Sequence, residues 1–450
     1  MEPFGGKMGE TQNSPTVSTK LERIAKLAKD RPAEALLNLA HYIDLDWMRE
    51  AYRRTRKDGA VGVDGQTAEQ FAEHLESNLL SLLDRAKSGT YRAPPVKRVH
   101  LPKGDGSQTR PIGITTFEDK VLQRAVVMVL EAVYEQEFLS CSYGFRPRRS
   151  AHGALEHLRT ALMNMGGGWV LEVDVEKFFD SLDRGQLREI LSRRVRDGVL
   201  LRLVGKWLNA GVLDAGVLEY PEAGSPQGGV VSPILANIYL HEVLDVWFER
   251  EVRPRLTGRA RLIRYADDIA IAFENEGDAR RVLAVLAKRF ARYGLTLHPE
   301  KTQVTEFRKP PQRPEGPGAP GGGGTFDLLG FTHCWTRSRK GTWVVRRKTA
   351  QDRFNRALKK IKEWCRLHRH DEIKQQAQGL SQRLRGHFGY FGIQGNSRAI
   401  GRFRQQVVQL WRKHLGRRSQ NGRVTWERMV CILRHHPLPP ARLAHPLSLA

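Results

Sequence analysis

The chain has 450 residues, of which 40% are hydrophobic and 27% charged, a composition typical of a globular protein with more than one domain. No run of 18 or more apolar residues occurs, which excludes a transmembrane helix, and residues 1–20 lack the apolar segment of a secretory signal. Four widely separated cysteines without a Cys-x-x-Cys pair favour a reducing, cytoplasmic setting over a disulfide framework or a zinc knuckle.

The net charge of +25 is concentrated near the end of the chain. Residues 1–334 hold 47 basic and 44 acidic residues, whereas residues 335–450 hold 27 and 5, a balance of +22. Such an excess is typical of proteins that bind phosphate backbones. The same segment contains five tryptophans, which are rare in disordered basic tails. We therefore expect a folded nucleic-acid-binding domain there rather than a solubilising tail.

The first 115 residues predict helices followed by a hairpin. Residues 1–20 are polar and are interpreted as a flexible arm. Helical spacing covers residues 21–56, with a break near 30–32, and resumes at residues 67–85 after a loop at 58–65. Residues 96–114 predict a β-hairpin with Lys103 and Arg110 flanking its tip. The two cations could hold a triphosphate, although on the hairpin alone solvated surface charges explain them better.

A predicted helix at residues 118–138 leads into a loop in which aromatic residues are interleaved with arginines. That combination suits base stacking and contact with a nucleic-acid backbone. The candidate template-binding residues in this loop are Tyr143, Phe145, Arg146, Arg148 and Arg149.

Two stretches carry the acidic residues of chemical interest. Residues 169–175 alternate as a strand that ends near Asp174, and residues 262–273 form an apolar run interrupted by Asp267 and Asp268. We interpret the second run as two short strands that meet at a tight turn. An Asp pair there is either an ordinary surface turn or a cation site, because burying carboxylates costs free energy unless a cation compensates. The third carboxylate on a separate strand favours the cation site.

The remaining elements are predicted from local patterns. Glycines around Gln227 let the backbone approach a ligand closely, and residues 309–324 form a flexible Pro/Gly insert. Residues 326–331 are expected to be a strand that completes the preceding sheet. The other predicted elements are helices at 151–163, 232–248, 278–293, 352–368, 373–388 and 398–415, and a strand at 303–307.

Seven motifs, taken together in this order, resemble the bacterial group II intron reverse transcriptase/maturase family, in a form without a nuclease domain. The resemblance continues into the basic segment and covers the chain from about residue 35 onwards. The motifs lie at residues 110–113 (Arg-Pro-Ile-Gly), 143–147, 174–180, 225–228 (Ser-Pro-Gln-Gly), 265–268 (Tyr-Ala-Asp-Asp), 300–302 and 328–331 (Leu-Leu-Gly-Phe), with further likeness at 384–391 and 411–413.

The resemblance implies an α+β fold of the right-hand polymerase type. It consists of fingers and a palm with an antiparallel sheet, followed by an all-helical thumb. In domain terms, residues 21–90 would be an N-terminal extension, residues 91–334 the fingers and palm, and residues 335–450 the basic thumb/maturase domain.

The resemblance also implies site residues. Asp174, Asp267 and Asp268 would be catalytic and, with the carbonyl of Val175, would hold two Mg²⁺ ions, Asp267 being the stronger candidate of the pair. The nucleotide would contact Lys103, Arg110, Gln227 and Lys301, the last as a proton donor to pyrophosphate or as a plain surface lysine. A phenylalanine under the sugar would disfavour a 2′-hydroxyl, with Phe179 as the candidate and Phe178 as the alternative.

Three functions remain open on this resemblance. The first is an RNA-directed DNA polymerase that uses dNTPs, an RNA template and a DNA primer, and that binds a group II intron RNA and assists splicing and retrohoming. The others are a free-standing polymerase in DNA repair or phage defence, and a splicing cofactor that only binds RNA. Because residues 421–440 lack the paired cysteines of a nuclease, we expect no second-strand cleavage and a primer from elsewhere, such as a replication fork.

Overall fold

The N-terminal part of the computed structural model is helical, as the sequence predicts. The first helix, however, begins at Val17, where the Thr16 hydroxyl caps the amide of Thr19, and Lys20 is buried in an ion pair with Asp44. The prediction of a flexible arm through residue 20 is therefore wrong for residues 17–20, because Lys20 packs into the fold. The helices are α1 Val17–Asp30, α2 Leu45–Arg54, α3 Ala68–Glu73 and α4 Leu75–Ser88. The structure describes residues 16–32, 34–103, 108–214, 216–220, 228–311, 323–419 and 422–445.

The predicted hairpin is present as β1 Val96–Lys103 and β2 Gln108–Ile114, with Leu101 paired to Arg110. It is followed by α5 Phe117–Tyr134, whose apolar residues form much of the main core, and by α6 Ala151–Met165, which Ser150 caps. The next elements are β3 Trp169–Val173, α7 Phe178–Ser181, α8 Arg184–Arg194, α9 Gly198–Leu208, β4 Val212–Asp214, β5 Val217–Glu219 and α10 Ser232–Leu240.

A four-stranded antiparallel sheet occupies the centre of the chain. It is completed by β6 Ala260–Tyr265, β7 Asp268–Phe273 and β8 Gln303–Glu306, and its strand order is β6-β7-β3-β8. Helix α11 Glu276–Arg292 connects β7 to β8 and packs on the sheet through Val282, Leu286 and Phe290. β3 is an inner strand, so residues at its end are held on both sides.

The prediction that residues 326–331 complete this sheet is wrong. It forms β9 Phe326–Leu328, which pairs with β10 Phe331–Arg337 and β11 Trp343–Thr349 in a separate three-stranded sheet. The expectation of an all-helical segment from residue 335 is therefore also wrong at its start. Alternation explains the difference, since Phe331, His333 and Trp335 point into a core that the central sheet shares.

Four helices follow this small sheet: α12 Gln351–Leu367, α13 Ile373–Phe391, α14 Ser397–Leu415 and α15 Trp426–His435. They enclose a core of their own, with Phe403 and Trp411 almost fully buried and the Trp411 indole donating to Gln376 Oε1 at 2.8 Å. The basic segment is thus folded, as its tryptophan content predicts. None of the described helices has both the length and the apolar character needed to cross a membrane.

Candidate active site

Asp174 directly follows β3 and is held through its backbone. The amide of His298 donates to the Asp174 carbonyl at 2.8 Å, and the Thr302 hydroxyl donates to the same oxygen at 3.2 Å. The Asp174 amide donates to Thr302 Oγ1 at 3.3 Å. The carboxylate is half-buried and accepts a hydrogen bond from Lys301 Nζ at 3.0 Å.

Val175, the predicted backbone ligand, forms an isolated antiparallel bridge with Leu297. The two hydrogen bonds of the bridge are made by its neighbours, Asp174 and Glu176. In such a pair the carbonyl of the central residue points away from the partner strand. The Val175 carbonyl is therefore directed away from Leu297, as a role in binding a ligand requires.

The Asp pair lies at the tight turn that the sequence predicts. Tyr265 pairs with Asp268, so Ala266 and Asp267 form the bend between β6 and β7. Ala266 has a φ of +56°, in the left-handed region that residues with side chains adopt only at a cost in free energy. Gly144 packs against this bend, and a Cβ at position 144 would lie 2.3 Å from the Ala266 amide nitrogen, so only glycine fits.

Strands β3 and β7 bring the three carboxylates together. Val173 pairs with Ile269, so Asp174 and Asp268 face each other one position further along the two strands. Partial burial and the negative charges of Asp267 and Asp174 raise the pKa of Asp268 to about 6, although part of its surface stays open to solvent. The three carboxylates thus form one electrostatic unit.

A divalent cation would relieve this repulsion. Among the described residues no three His, Cys, Asp or Glu side chains form a preassembled metal cluster. The donor set nevertheless fits a hard cation, because it offers three carboxylates and a backbone carbonyl, the oxygen ligands that Mg²⁺ prefers. The residues present are therefore compatible with Mg²⁺.

The raised pKa leads to a prediction about stability. We expect Asp268→Asn to stabilise the metal-free protein at neutral pH by about 1 kcal/mol, a value reduced because the side chain is partly exposed. The pKa of Asp268 is raised from 3.8 to about 6, so its charge opposes folding fully above pH 6 and ceases to do so below the lower value. Denaturant unfolding in the presence of a chelator measures the free energy of unfolding of both proteins. The two should differ at neutral pH, where Asp268 is charged, and not near pH 3.5, where it is protonated.

The matched control for this experiment is Asp84→Asn, which removes an exposed carboxylate from α4. It should leave the free energy of unfolding unchanged at either pH. Added Mg²⁺ should stabilise the wild type more than Asp268→Asn, because the variant has lost one of the charges that attract the ion. Equal stability of the wild type and Asp268→Asn at neutral pH would contradict the electrostatic coupling.

Beneath the turn lies a buried arginine that the sequence analysis did not single out. Arg264 on β6 has no exposed surface and forms a bidentate ion pair with Asp245, at 2.8 Å and 2.6 Å. Its guanidinium also donates to Asn237 Oδ1 at 2.9 Å, Ser142 Oγ at 2.8 Å and the Ala266 carbonyl at 3.2 Å. Arg264 therefore holds the strained bend from inside the protein.

The partners of Arg264 belong to three different segments. Asp245 lies in a π-helical continuation of α10, His241–Val246, and such insertions are frequent near functional sites. Asn237 also donates to the Gly144 carbonyl at 2.7 Å, which ties α10 to the loop that packs on the bend. A single network thus links the helix, the loop and the turn.

The structure describes most of the residues that we predicted to contact the nucleotide. Arg110 is exposed on β2, and its positive charge favours the ionised form of Asp268. Lys301 pairs with Asp174. Phe178 is buried in the main core whereas Phe179 is half-buried, which favours Phe179 as the residue near the sugar. Lys103 ends β1, and Gln227 lies outside the described residues.

The loop predicted to bind template divides into buried and exposed residues. Tyr143 is buried and bonds His157 at 2.7 Å, and Arg146 is buried against Glu135 and the carbonyls of the loop. The prediction of template contact is therefore wrong for these two, because both side chains serve the interior. Three of the predicted residues keep accessible side chains: Phe145, Arg148 and Arg149.

Two residues of the C-terminal helices also lie near the site, and sequence reasoning missed both. Tyr390 donates to the Leu329 carbonyl at 2.8 Å, and burial, with smaller contributions from the acidic groups of Tyr265 and Asp268, raises its pKa to about 12. Arg353 lies beside Gly330, where a Cβ would meet its Cγ at 3.4 Å, and its charge favours ionised Asp268. The Leu-Leu-Gly-Phe turn thus connects α12 and α13 to the acidic residues.

The geometry agrees with the comparison to known families. The family model described as reverse transcriptase (RNA-dependent DNA polymerase) matches residues 101–333. The chain belongs to the reverse transcriptase family. The matched range includes β3, the hairpin of β6 and β7, and all three candidate carboxylates.

The curated relatives include proteins of group II introns, which confirms the resemblance noted in the sequence. Protein YkfC of Escherichia coli (strain K12) is 35% identical over 256 residues, 55% of this chain and 66% of that protein. Group II intron-encoded protein LtrA of Lactococcus lactis subsp. cremoris is 36% identical over 248 residues, 53% of this chain and 40% of LtrA. The chain therefore spans less than two thirds of the length of these relatives.

Proposed function

We propose that the chain is an RNA-directed DNA polymerase that also binds a group II intron RNA and assists its splicing and its retrohoming by target-primed reverse transcription. The observation that carries the proposal is the meeting of Asp174 with Asp267 and Asp268 at the ends of neighbouring strands, in a chain of the reverse transcriptase family. Nucleotidyl transfer needs such a carboxylate set, because charge develops on both the attacking and the leaving oxygen.

In the proposed mechanism, Asp174, Asp267 and Asp268 would hold the metal ions together with the Val175 carbonyl. Two bound Mg²⁺ ions would activate the 3′-hydroxyl of the primer and neutralise the charge on the departing pyrophosphate. Asp267 lies in the bend itself and is the stronger candidate ligand, whereas Asp268, opposite Asp174, adds supporting charge. A metal that binds Asp174 would compete with its Lys301 partner.

The remaining predicted residues bind the nucleotide and the template. Arg110 and Lys103, on the two strands of the hairpin, would bind the triphosphate, and Gln227 would line the same pocket. Phe179 would pack against the sugar and disfavour a 2′-hydroxyl. Lys301, which pairs with Asp174, would donate a proton to pyrophosphate. The template would pass the accessible side chains of the loop, which are the exposed Phe145 and Arg148 and the half-buried Arg149.

The basic C-terminal helices support the intron-binding part of the proposal. Residues 335–450 carry a balance of +22, and their helices have an independent hydrophobic core, so the charge is displayed on a folded surface. A protein that only binds RNA would gain nothing from three coupled carboxylates, where burial and mutual repulsion raise the pKa of Asp268. The polymerase is therefore better supported than a pure splicing cofactor.

A primer-extension assay tests the proposal. The purified chain should extend a DNA primer on an RNA template with dNTPs and Mg²⁺, and extension should stop when the metal is chelated. An Asp267→Asn protein purified in parallel is the negative control, because it reports any contaminating polymerase. Equal extension by this variant, or none by the wild type on a template that another reverse transcriptase copies, would refute the assignment.

A further inference from the structure

A cleft separate from the catalytic carboxylates lies between the end of α14 and the start of α15. Its volume is about 790 Å³. Its lining includes three cationic side chains and one tryptophan but no acidic residue among the described positions. The lining residues are Gln409, Arg412, Lys413, Gly416, Arg423, Val424 and Trp426.

Trp426 is unusual in its exposure. All nine tryptophans of the chain lie within the described ranges, and Trp426, at 45% exposure, is the only one of them that is neither buried nor half-buried. Burial of an indole is strongly favourable, so an exposed one at a charged surface is a candidate contact residue. The nearby Trp411 shows the contrast, because it is fully buried in the helical core.

The indole of Trp426 is held by a neighbouring cation. The Arg412 guanidinium lies over the ring, with its central carbon 4.3 Å from the centroid, and donates to the Val424 carbonyl at 3.0 Å. This contact orients the ring before any ligand arrives, which lowers the entropic cost of binding. Lys413 and Arg423 are exposed on the same cleft and remain available to an anion.

An aromatic face beside several cations has the chemistry that binds an unpaired nucleotide. The base stacks on the ring, and the phosphates on either side of it pair with lysine and arginine. A duplex offers its backbone but keeps its base faces covered, so it would use the cations without the indole.

We propose that this cleft binds a single-stranded nucleotide of the RNA that the chain holds, by stacking its base on Trp426 and pairing its phosphates with Lys413 and Arg423. The inference rests on the proposed RNA-binding function and adds a site to it. Because none of the lining residues belongs to the catalytic turn, the cleft anchors RNA independently of nucleotidyl transfer.

Binding of a labelled, unstructured RNA oligonucleotide by the full chain tests this proposal. Trp426→Ala should weaken binding about tenfold or more, the range expected for loss of one base–aromatic stack, whereas Trp426→Phe should retain most of the affinity. Arg423→Ala should weaken binding and reduce the slope of log affinity against log salt by about one. Arg428→Ala, an equal change of charge on the exposed side of α15, should have a smaller effect.

Two further measurements separate this site from the polymerase. Affinity for a blunt-ended RNA duplex should change little in Trp426→Ala, and so should extension of a short primer–template. The proposal is overturned if Trp426→Ala binds single-stranded RNA as tightly as the wild type, or if Trp426→Phe loses as much affinity as Trp426→Ala. A wild type that fails to polymerise but shows the Trp426 effect would refute the polymerase and support the cleft.

Discussion

Asp245→Asn should lower the free energy of unfolding by about 3–5 kcal/mol, the range found when one partner of a buried ion pair is removed. The substitution leaves the Arg264 guanidinium in the interior without its counter-charge, since neither side chain has exposed surface. Arg264→Met should cost a similar amount, because Asp245 would then be the uncompensated charge. Denaturant titration followed by far-UV circular dichroism measures these differences.

A double variant separates stability from catalysis. Arg264→Met combined with Asp245→Leu removes both charges, and such apolar replacements of a buried pair are often neutral or stabilising. We expect the double variant to recover most of the free energy of unfolding. It should not recover primer extension, because the bend at Ala266 would still lack the guanidinium that donates to its carbonyl.

Arg264 is a positioning residue on this view, and its effect should fall on the chemical step. The turnover number should drop by about tenfold or more while the KM for dNTP changes little, and the Mg²⁺ concentration for half-maximal activity should rise. Arg264→Lys keeps the charge but not the fork geometry, so it should restore stability better than activity. Wild-type turnover and metal dependence in the folded double variant would show that the network only stabilises the protein.

The elements nearest the carboxylates were predictable because their signals are local. The apolar run around Asp267 and Asp268 folds into β6 and β7, and the alternation before Asp174 corresponds to β3. The amphipathic spacing in the basic segment likewise predicted α12, α13 and α14 to within a few residues. In each case a short window contains the periodicity that determines the element.

The buried network was not predictable in this way. Four residues of the network, separated by up to 122 positions in sequence, come together only in the folded chain: Ser142, Asn237, Asp245 and Arg264. A signal was nevertheless present, because Arg264 directly follows the buried apolar residues Leu262 and Ile263 in the strand. A charged residue there required a buried partner.

Two wrong predictions have separate causes: the exposure of Arg146 and the all-helical fold from residue 335 onwards. Arg146 is in a loop of arginines and aromatic residues that looks exposed, and its burial depends on Glu135 at the end of α5, which no local pattern indicates. The strands β10 and β11 were missed because residues 335–450 were assigned as a whole to the all-helical domain that the resemblance implies, and no helix or strand was predicted for residues 335–349. The alternation of Phe331, His333 and Trp335 was the stronger signal.

Asp174→Asn and Asp267→Asn should each reduce the rate of primer extension by about a thousandfold or more. A metal that stabilises charge in the transition state contributes several kcal/mol, and each 1.36 kcal/mol corresponds to about a factor of ten. The fold should survive, because the pair of Asp174 with Lys301 is partly exposed and such pairs contribute about 1 kcal/mol or less. Single-turnover extension on an RNA template measures the rates, with unfolding monitored in parallel.

Asp268→Asn provides the comparison that distinguishes a ligand from a supporting charge. Asp268 faces Asp174 across the two strands but lies one residue beyond the bend, and its carboxylate is the one whose pKa is raised to about 6. If it serves mainly as local charge, its loss should slow extension by about ten- to a hundredfold, with part of the loss recovered at higher Mg²⁺ concentration. Asp84→Asn, remote on α4, should match the wild type. A loss in Asp268→Asn equal to that in Asp267→Asn, without rescue by metal, would make both residues direct ligands.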